Sequence, residues 1–194
     1  MKLIKSIAIV SLTASLLVAG QGNGKKKDEA LQNVIKTGKQ SSKLLLKTLG
    51  SNMKKNMKAG GPMKALDFCS QEAYNLTEKV NKQLQKGVTI KRISMKYRNP
   101  SNKPKADETA VLEALAKLKS ANVILPKKIV QKVSADTYKY YKPLVINKKV
   151  CLKCHGDIQN KKLQDEIAKK YPTDKATHYK MGDLRGAIVV TIKK

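Results

Sequence analysis

The chain has 194 residues, with 41 Lys or Arg against 14 Asp or Glu and a formal net charge of +27. That length suits one domain with a real core and excludes two comfortable ones. The charge invites a nucleic-acid reading, but the basic residues run along the whole chain rather than gathering into a stripe, and all except Arg92, Arg98 and Arg185 are lysine, so the expectation is a solvated, lysine-biased surface and no nucleic-acid partner.

Residues 1–20 read as a secretory signal peptide: Lys2 and Lys5 precede an apolar stretch from Ile7 to Gly20 that closes on Val18-Ala19-Gly20. The stretch is shorter than the roughly 18 residues a bilayer span needs, so no stable membrane span is expected after cleavage. The residue that lipid anchoring would require as cysteine is Gln21. The second segment, 21–60, divides into a lysine-rich spacer over 21–27 and a helix from Asp28 to about Leu49, with Leu31, Val34, Ile35, Leu45, Leu46 and Leu49 apolar and Gly38 weakening its middle.

Gly60-Gly61-Pro62 ends any helix continuing through Met53 and Met57, and Pro62 suits the first turn of the next one. In that helix Leu66, Cys69, Ala73, Leu76, Val80 and Leu84 recur every three or four residues and form one buried stripe. Beyond Gly87, Val88 and Ile90 alternate in one phase and Ile93, Met95 and Tyr97 in the other, which predicts a strand bulged near Arg92. A turn at Asn99–Pro104 leads to a helix over Asp107–Leu118, with Asp107 and Glu108 favourably near its N-terminus. Strands are predicted over Lys127–Val133 and Thr137–Ile146, the second marked as an edge or bend by Pro143. A helix over Lys161–Lys170 and a β-branched run over Gly186–Ile192 that can be a central strand close the pattern. Helices outside an antiparallel sheet make the fold class α+β.

Cys151-Leu152-Lys153-Cys154-His155 carries the chemistry. Two thiols at this spacing match the two vinyl groups of a porphyrin, and the histidine that follows is carried under the ring as an iron ligand: this is the attachment pattern of one covalently bound haem c. Zinc would need a second Cys or His pair, and only the isolated Cys69 and His178 remain. A thioredoxin-like pair normally opens a helix near the start of a domain, and a disulfide across two residues is strained. An exported protein and c-type haem point to one compartment, the periplasm. Haem has two propionates, and the three arginines, whose planar fork pairs bidentately with a carboxylate, are the candidates to hold them. The sixth iron position is open to Cys69, to His178, or to Met53, Met57, Met63, Met95 and Met181.

Further segments carry a family resemblance: Ala65–Cys69, Lys96–Pro100 with Asn102 and Pro104, Tyr141–Leu144 leading into Cys151–Gly156, and Met181–Gly186. In this order they resemble a family of bacterial and cyanobacterial single-haem c-type proteins of PAS-like fold, formerly a family of unknown function. The resemblance covers roughly residues 60–194, and it implies a haem c-binding PAS-like domain over 61–194 behind an N-terminal helical extension. It also implies His155 on one side of the iron and Cys69 on the other. His178 stands where the family pattern has a small residue, as in Ala-Thr-Gly-Tyr. Thiolate ligation stabilises ferric iron and lowers the potential. The functional expectation is therefore a non-enzymatic, low-potential electron-transfer or redox-sensing protein with a redox partner, acidic in keeping with the charge. A haem-based gas sensor acting through a partner protein is the alternative, and a peroxidase-like enzyme, which needs distal acid–base groups, the remaining one.

Overall fold

The computed structural model describes residues 21–194, with side chains from Asp28 onward; the expected signal peptide lies outside the described residues. Helix α1 spans Gln21–Gln71, so 21–27 continues the helix rather than forming a spacer. It bends at Gly60 and Gly61, whose backbone leaves the helical region (φ/ψ −170/28 and 64/−155), and Pro62 opens its second segment as predicted. Helix α2 (Ala73–Gln83) follows, then β1 (Val88–Ile93), α3 (Ala106–Ser120), β2 (Ile129–Lys132), β3 (Thr137–Val145), α4 (Lys149–His155), α5 (Lys161–Lys170) and β4 (Leu184–Lys193). The four strands form one antiparallel sheet in the order β1-β4-β3-β2. Helices flank it, and the fold is α+β. Among the described residues no helix is long and apolar enough to cross a membrane.

Alternation along the strands builds two cores. Ile188, Val190 and Ile192 of β4 pack with Val88, Ile90 and Tyr140 under Val34 and Leu45 of α1 and Val80 of α2. On the opposite face Ala187 and Val189 pack with Ile93, Tyr141 and the α3 residues Leu112 and Leu115. Gly38 is the point of closest approach between α1 and the sheet: a Cβ there would lie 2.1 Å from Tyr140 Cγ. A residue that weakens the isolated helix thus lets it lie against the ring.

The predicted bulge at Arg92 is not there. β1 pairs with β4 in unbroken register from Val88↔Ile192 to Ile93↔Ala187, so Arg92 shares the α1/α2 side with Val88 and Ile90 while Ile93 points the other way. A charged residue at an inward position mimicked a change of phase. The irregularity lies in β3, between Leu144 and Val145. Pro143 follows the last residue of β3 paired to β2, Tyr141, and needs no donor on that side. Past Ile93 the chain turns, with Ser94 N–H bonded to Asn102 O at 3.1 Å, so Met95 and Tyr97 belong to no strand. The stripe from Leu66 to Leu84 is likewise shared between two helices that break at Glu72.

One buried polar cluster pins α3 to the sheet. Glu108, 1% exposed, meets Lys91 at 2.7 Å and Lys139 at 3.1 Å, and Asp107 meets Lys139 at 2.5 Å. Glu108 also accepts the Lys105 N–H at 2.8 Å, which closes the first turn of the helix.

Candidate functional site

The motif occupies α4, a helix of two turns. Cys154 and His155 lie three and four residues beyond Cys151, so all three side chains reach one face. The helix sits between two small apolar clusters: Cys151 and Leu152 contact Ile146, Ala176 and Tyr179, and Cys154 contacts a cluster of Leu66, Leu163, Ile167 and Tyr171. Asn160 caps α5 by accepting the Leu163 N–H at 3.0 Å, and Lys170 at its far end pairs with Asp67 of α1 at 3.1 Å. The cysteines are free thiols. Among the described residues no group of three or more His, Cys, Asp or Glu converges as a zinc cage would require.

His155 Nδ1 lies 2.9 Å from the carbonyl of Ala176. A carbonyl only accepts, so Nδ1 carries the proton and Nε2 keeps its lone pair. Burial, reinforced by the positive charges of Arg185 and Arg98, pushes the imidazole pKa down to about 3. The side chain is therefore a neutral, oriented imidazole whose free Nε2 could ligate a metal. Tyr179 stands edge-on to the ring at 6.3 Å and donates its backbone N–H to His155 O at 2.9 Å.

The three arginines take different parts. Arg98, 8% exposed, donates from Nη2 to the Cys154 carbonyl at 2.7 Å and to the Ala176 carbonyl at 3.2 Å, while Nε donates to Asp174 Oδ2 at 3.1 Å. Asp174 in turn accepts the Ala176 N–H at 2.8 Å. One guanidinium thus fastens the motif helix and the carbonyl that orients His155. Arg185 donates from Nη1 to Ser94 Oγ at 2.8 Å and Lys96 O at 3.0 Å, and lies 5.3 Å from the centre of the Tyr179 ring. Arg92 differs, for its buried Nε has no partner.

Cys69 stands on the second segment of α1. Burial raises its thiol pKa against the opposing charges of Arg92 and Arg98, and burial likewise raises Cys154, with Arg98 opposing and Cys69 adding to the rise. Tyr171 is pushed up to about 12 by burial and by Cys69. Cys69, Cys154, Arg92, Arg98 and Tyr171 therefore share one region, although they come from five separate segments.

Of the other predicted ligands, Met63 alone lies near that region among the described residues. His178 is exposed and pairs through Nδ1 with Asp157 Oδ1 at 2.5 Å. Its φ of 59° lies in the left-handed region that favours glycine, which accounts for the small residue expected at this position. Met95 and Met181 are largely exposed, and Met53 and Met57 lie on the first segment of α1. Met63 packs near Cys154 against the Leu66 cluster. Sequence reasoning missed Ala176, Asp174 and Tyr179; a backbone carbonyl has no side-chain signature, but Asp174 is one of only 14 acids and sits two residues before the oriented carbonyl.

The model of the Tll0287-like family (Tll0287) matches residues 25–193. Among solved structures, the crystal structure of the cyanobacterial heme-protein Tll0287 is similar, with a TM-score of 0.57 and 21% identity over 86% of this chain and 96% of that one. At that identity the likeness speaks to the fold. No curated protein matches the chain.

Proposed function

The chain belongs to the Tll0287-like family, and from that membership and the site geometry we propose that it is an exported single-haem c-type protein for low-potential electron transfer or redox sensing. Cys151 and Cys154 would hold the haem through thioether bonds, each S–H adding across one vinyl group, and His155 Nε2 and Cys69 would ligate its iron. When bound, the haem supplies a one-electron iron centre whose potential an anionic sulfur ligand lowers. The observation that carries the reading is the neutral His155, held by the Ala176 carbonyl with Nε2 free, at the end of a CxxCH helix.

The remaining residues fit the group. Arg92 has a buried donor without a partner, beside Cys69, and a propionate would satisfy it. Arg185 adds positive charge next to His155, and Arg98 positions the motif through its carbonyl bonds. We assign the protein no catalytic group: His178, the histidine a peroxidase would need beside the ligand, faces Asp157 at the surface. The net charge of +27 supports an acidic redox partner in the periplasm.

Absorption and EPR spectra of the oxidised and reduced holoprotein test this reading. A low-spin ferric thiolate signal that disappears in Cys69→Ser supports the ligand pair, and an identical spectrum in the variant contradicts it. Stoichiometric carbon monoxide binding by the reduced form would favour the gas-sensor alternative.

A further inference from the structure

We propose that the outward face of the first segment of α1 is a docking surface for an anionic lipid bilayer. Taken along the sequence, the lysines look evenly spread; α1 gathers six of them. Lys36, Lys39, Lys43, Lys47, Lys54 and Lys58 follow at intervals of three, four, four, seven and four, which places them on one side of the helix. Val34, Gly38 and Leu45 occupy the opposite side, against the sheet. The stripe is straight and about 33 Å long at ~1.5 Å per residue. All six lysines are exposed, and none has an ion-pair partner among the described residues.

The stripe lacks the counter-charges found elsewhere in the chain. No acidic residue occurs between Glu29 and Asp67, whereas α3 carries Asp107 and Glu108 and α5 pairs Lys161 with Asp165. A helix that needed charge only for solubility would gain helix stability from acids four residues from its lysines. This one presents unscreened positive charge along its whole exposed side.

The chemistry of the stripe selects a lipid surface over a folded partner. Protein interfaces concentrate their energy in Arg, Tyr and Trp anchors seated in pockets, and this segment has neither arginine nor aromatic residue. Lysine is a mobile point charge, suited to the diffuse negative charge of a headgroup layer. Leu44 and Leu46, 36% and 37% exposed, flank the stripe on either side. They and the lysine stems provide apolar contact at the headgroup boundary while the ammonium groups stay in water. Because the helix's main apolar side is already spent on the sheet, the segment adsorbs without inserting.

Co-sedimentation of the purified holoprotein without residues 1–20 with two kinds of vesicle tests the proposal: phosphatidylcholine alone, and phosphatidylcholine mixed with phosphatidylglycerol. Binding to the mixed vesicles that exceeds binding to the neutral ones and falls with added salt is expected. Replacing Lys36, Lys43, Lys47 and Lys54 by Gln should weaken that binding by roughly tenfold or more. Replacing the exposed Lys103, Lys127, Lys128 and Lys132 by Gln removes the same charge from other faces and should leave binding within about twofold. Both sets are exposed, so an unchanged melting temperature is expected for each and confirms that the variants are folded. Equal weakening by the two sets, or no preference for the anionic vesicles, overturns the proposal. The outcome does not depend on the haem ligands, so it stands or falls apart from them.

Discussion

Around β4, both faces of the sheet are covered by apolar side chains, with Ile188, Val190 and Ile192 under α1 and α2 and Ala187 and Val189 under α3. Around α4 the arrangement is different: two clusters of three or four buried residues support the helix, and Arg98, itself held by Asp174, ties the Cys154 carbonyl to that of Ala176 in the loop after α5. The sheet is stabilised by contact area, which tolerates small displacements. The motif helix is positioned by directed hydrogen bonds, which do not. Stability and site geometry therefore reside in different parts of the molecule, and substitutions should separate them.

The largest expected effect is in the core between α3 and the sheet. Leu115→Ala removes a side chain with no exposed surface and should cost about 3 kcal/mol in urea unfolding, while the spectrum of the folded holoprotein stays that of the parent. Comparable loss of stability with an altered spectrum would mean that the two regions are not independent. Arg98→Lys sharpens the contrast from the other side. A single ammonium cannot reproduce the fork that serves Asp174, Cys154 and Ala176, so a cost of about 2 kcal/mol should come with a changed haem environment and faster hydrogen exchange in α4.

Glu108→Gln is expected to cost about 2 kcal/mol, less than the loss of a wholly unpaired buried charge, because Asp107 still accepts from Lys139. Its pH dependence is the sharper readout. Burial alone would raise the Glu108 carboxyl, but the Lys105 N–H, Lys91 and Lys139 more than offset this and hold it below its ordinary value. A depressed folded pKa gives stability that is fully present above the unfolded value, about 4.3, and is lost as pH falls through the lower, folded value. The urea midpoint of the parent should therefore drop on acidification below about pH 4, and the variant's should drop less. The smallest effect has the opposite sign. His178→Gly relieves a left-handed backbone and gives up only an exposed pair with Asp157, so a gain of about 0.5–1 kcal/mol is expected, with no change in the spectrum.

Much of this molecule can be read before it is folded. CxxCH declares itself because three side chains must act at fixed spacing, and α5 was legible over Lys161–Lys170 because its apolar period is clean. The centrality of β4 was legible in its β-branched run, which is buried on both faces. What escaped is what depends on the rest of the chain. Arg92 imitated a bulge because an inward charge interrupts alternation as a register shift does, and only its surroundings distinguish the two. The role of Ala176 lies in its carbonyl, which every residue has. The lysine stripe became visible only once 21–59 proved to be continuous helix, since spacing gathers side chains only on a known backbone. Cys69 was one of several sixth-ligand candidates until the family resemblance favoured it, and the fold brings it near Cys154 from 85 residues away in sequence.

The central claim is that Cys151 and Cys154 hold one haem covalently beside His155. Its most direct test is the intact mass of the denatured chain after production with a c-type haem maturation system, for the parent and for a Cys151→Ala/Cys154→Ala variant. The parent should carry the mass of one haem that acid–acetone does not extract, and the variant should have the bare chain mass. A parent chain at its bare mass, or one whose haem is fully extracted, would contradict it.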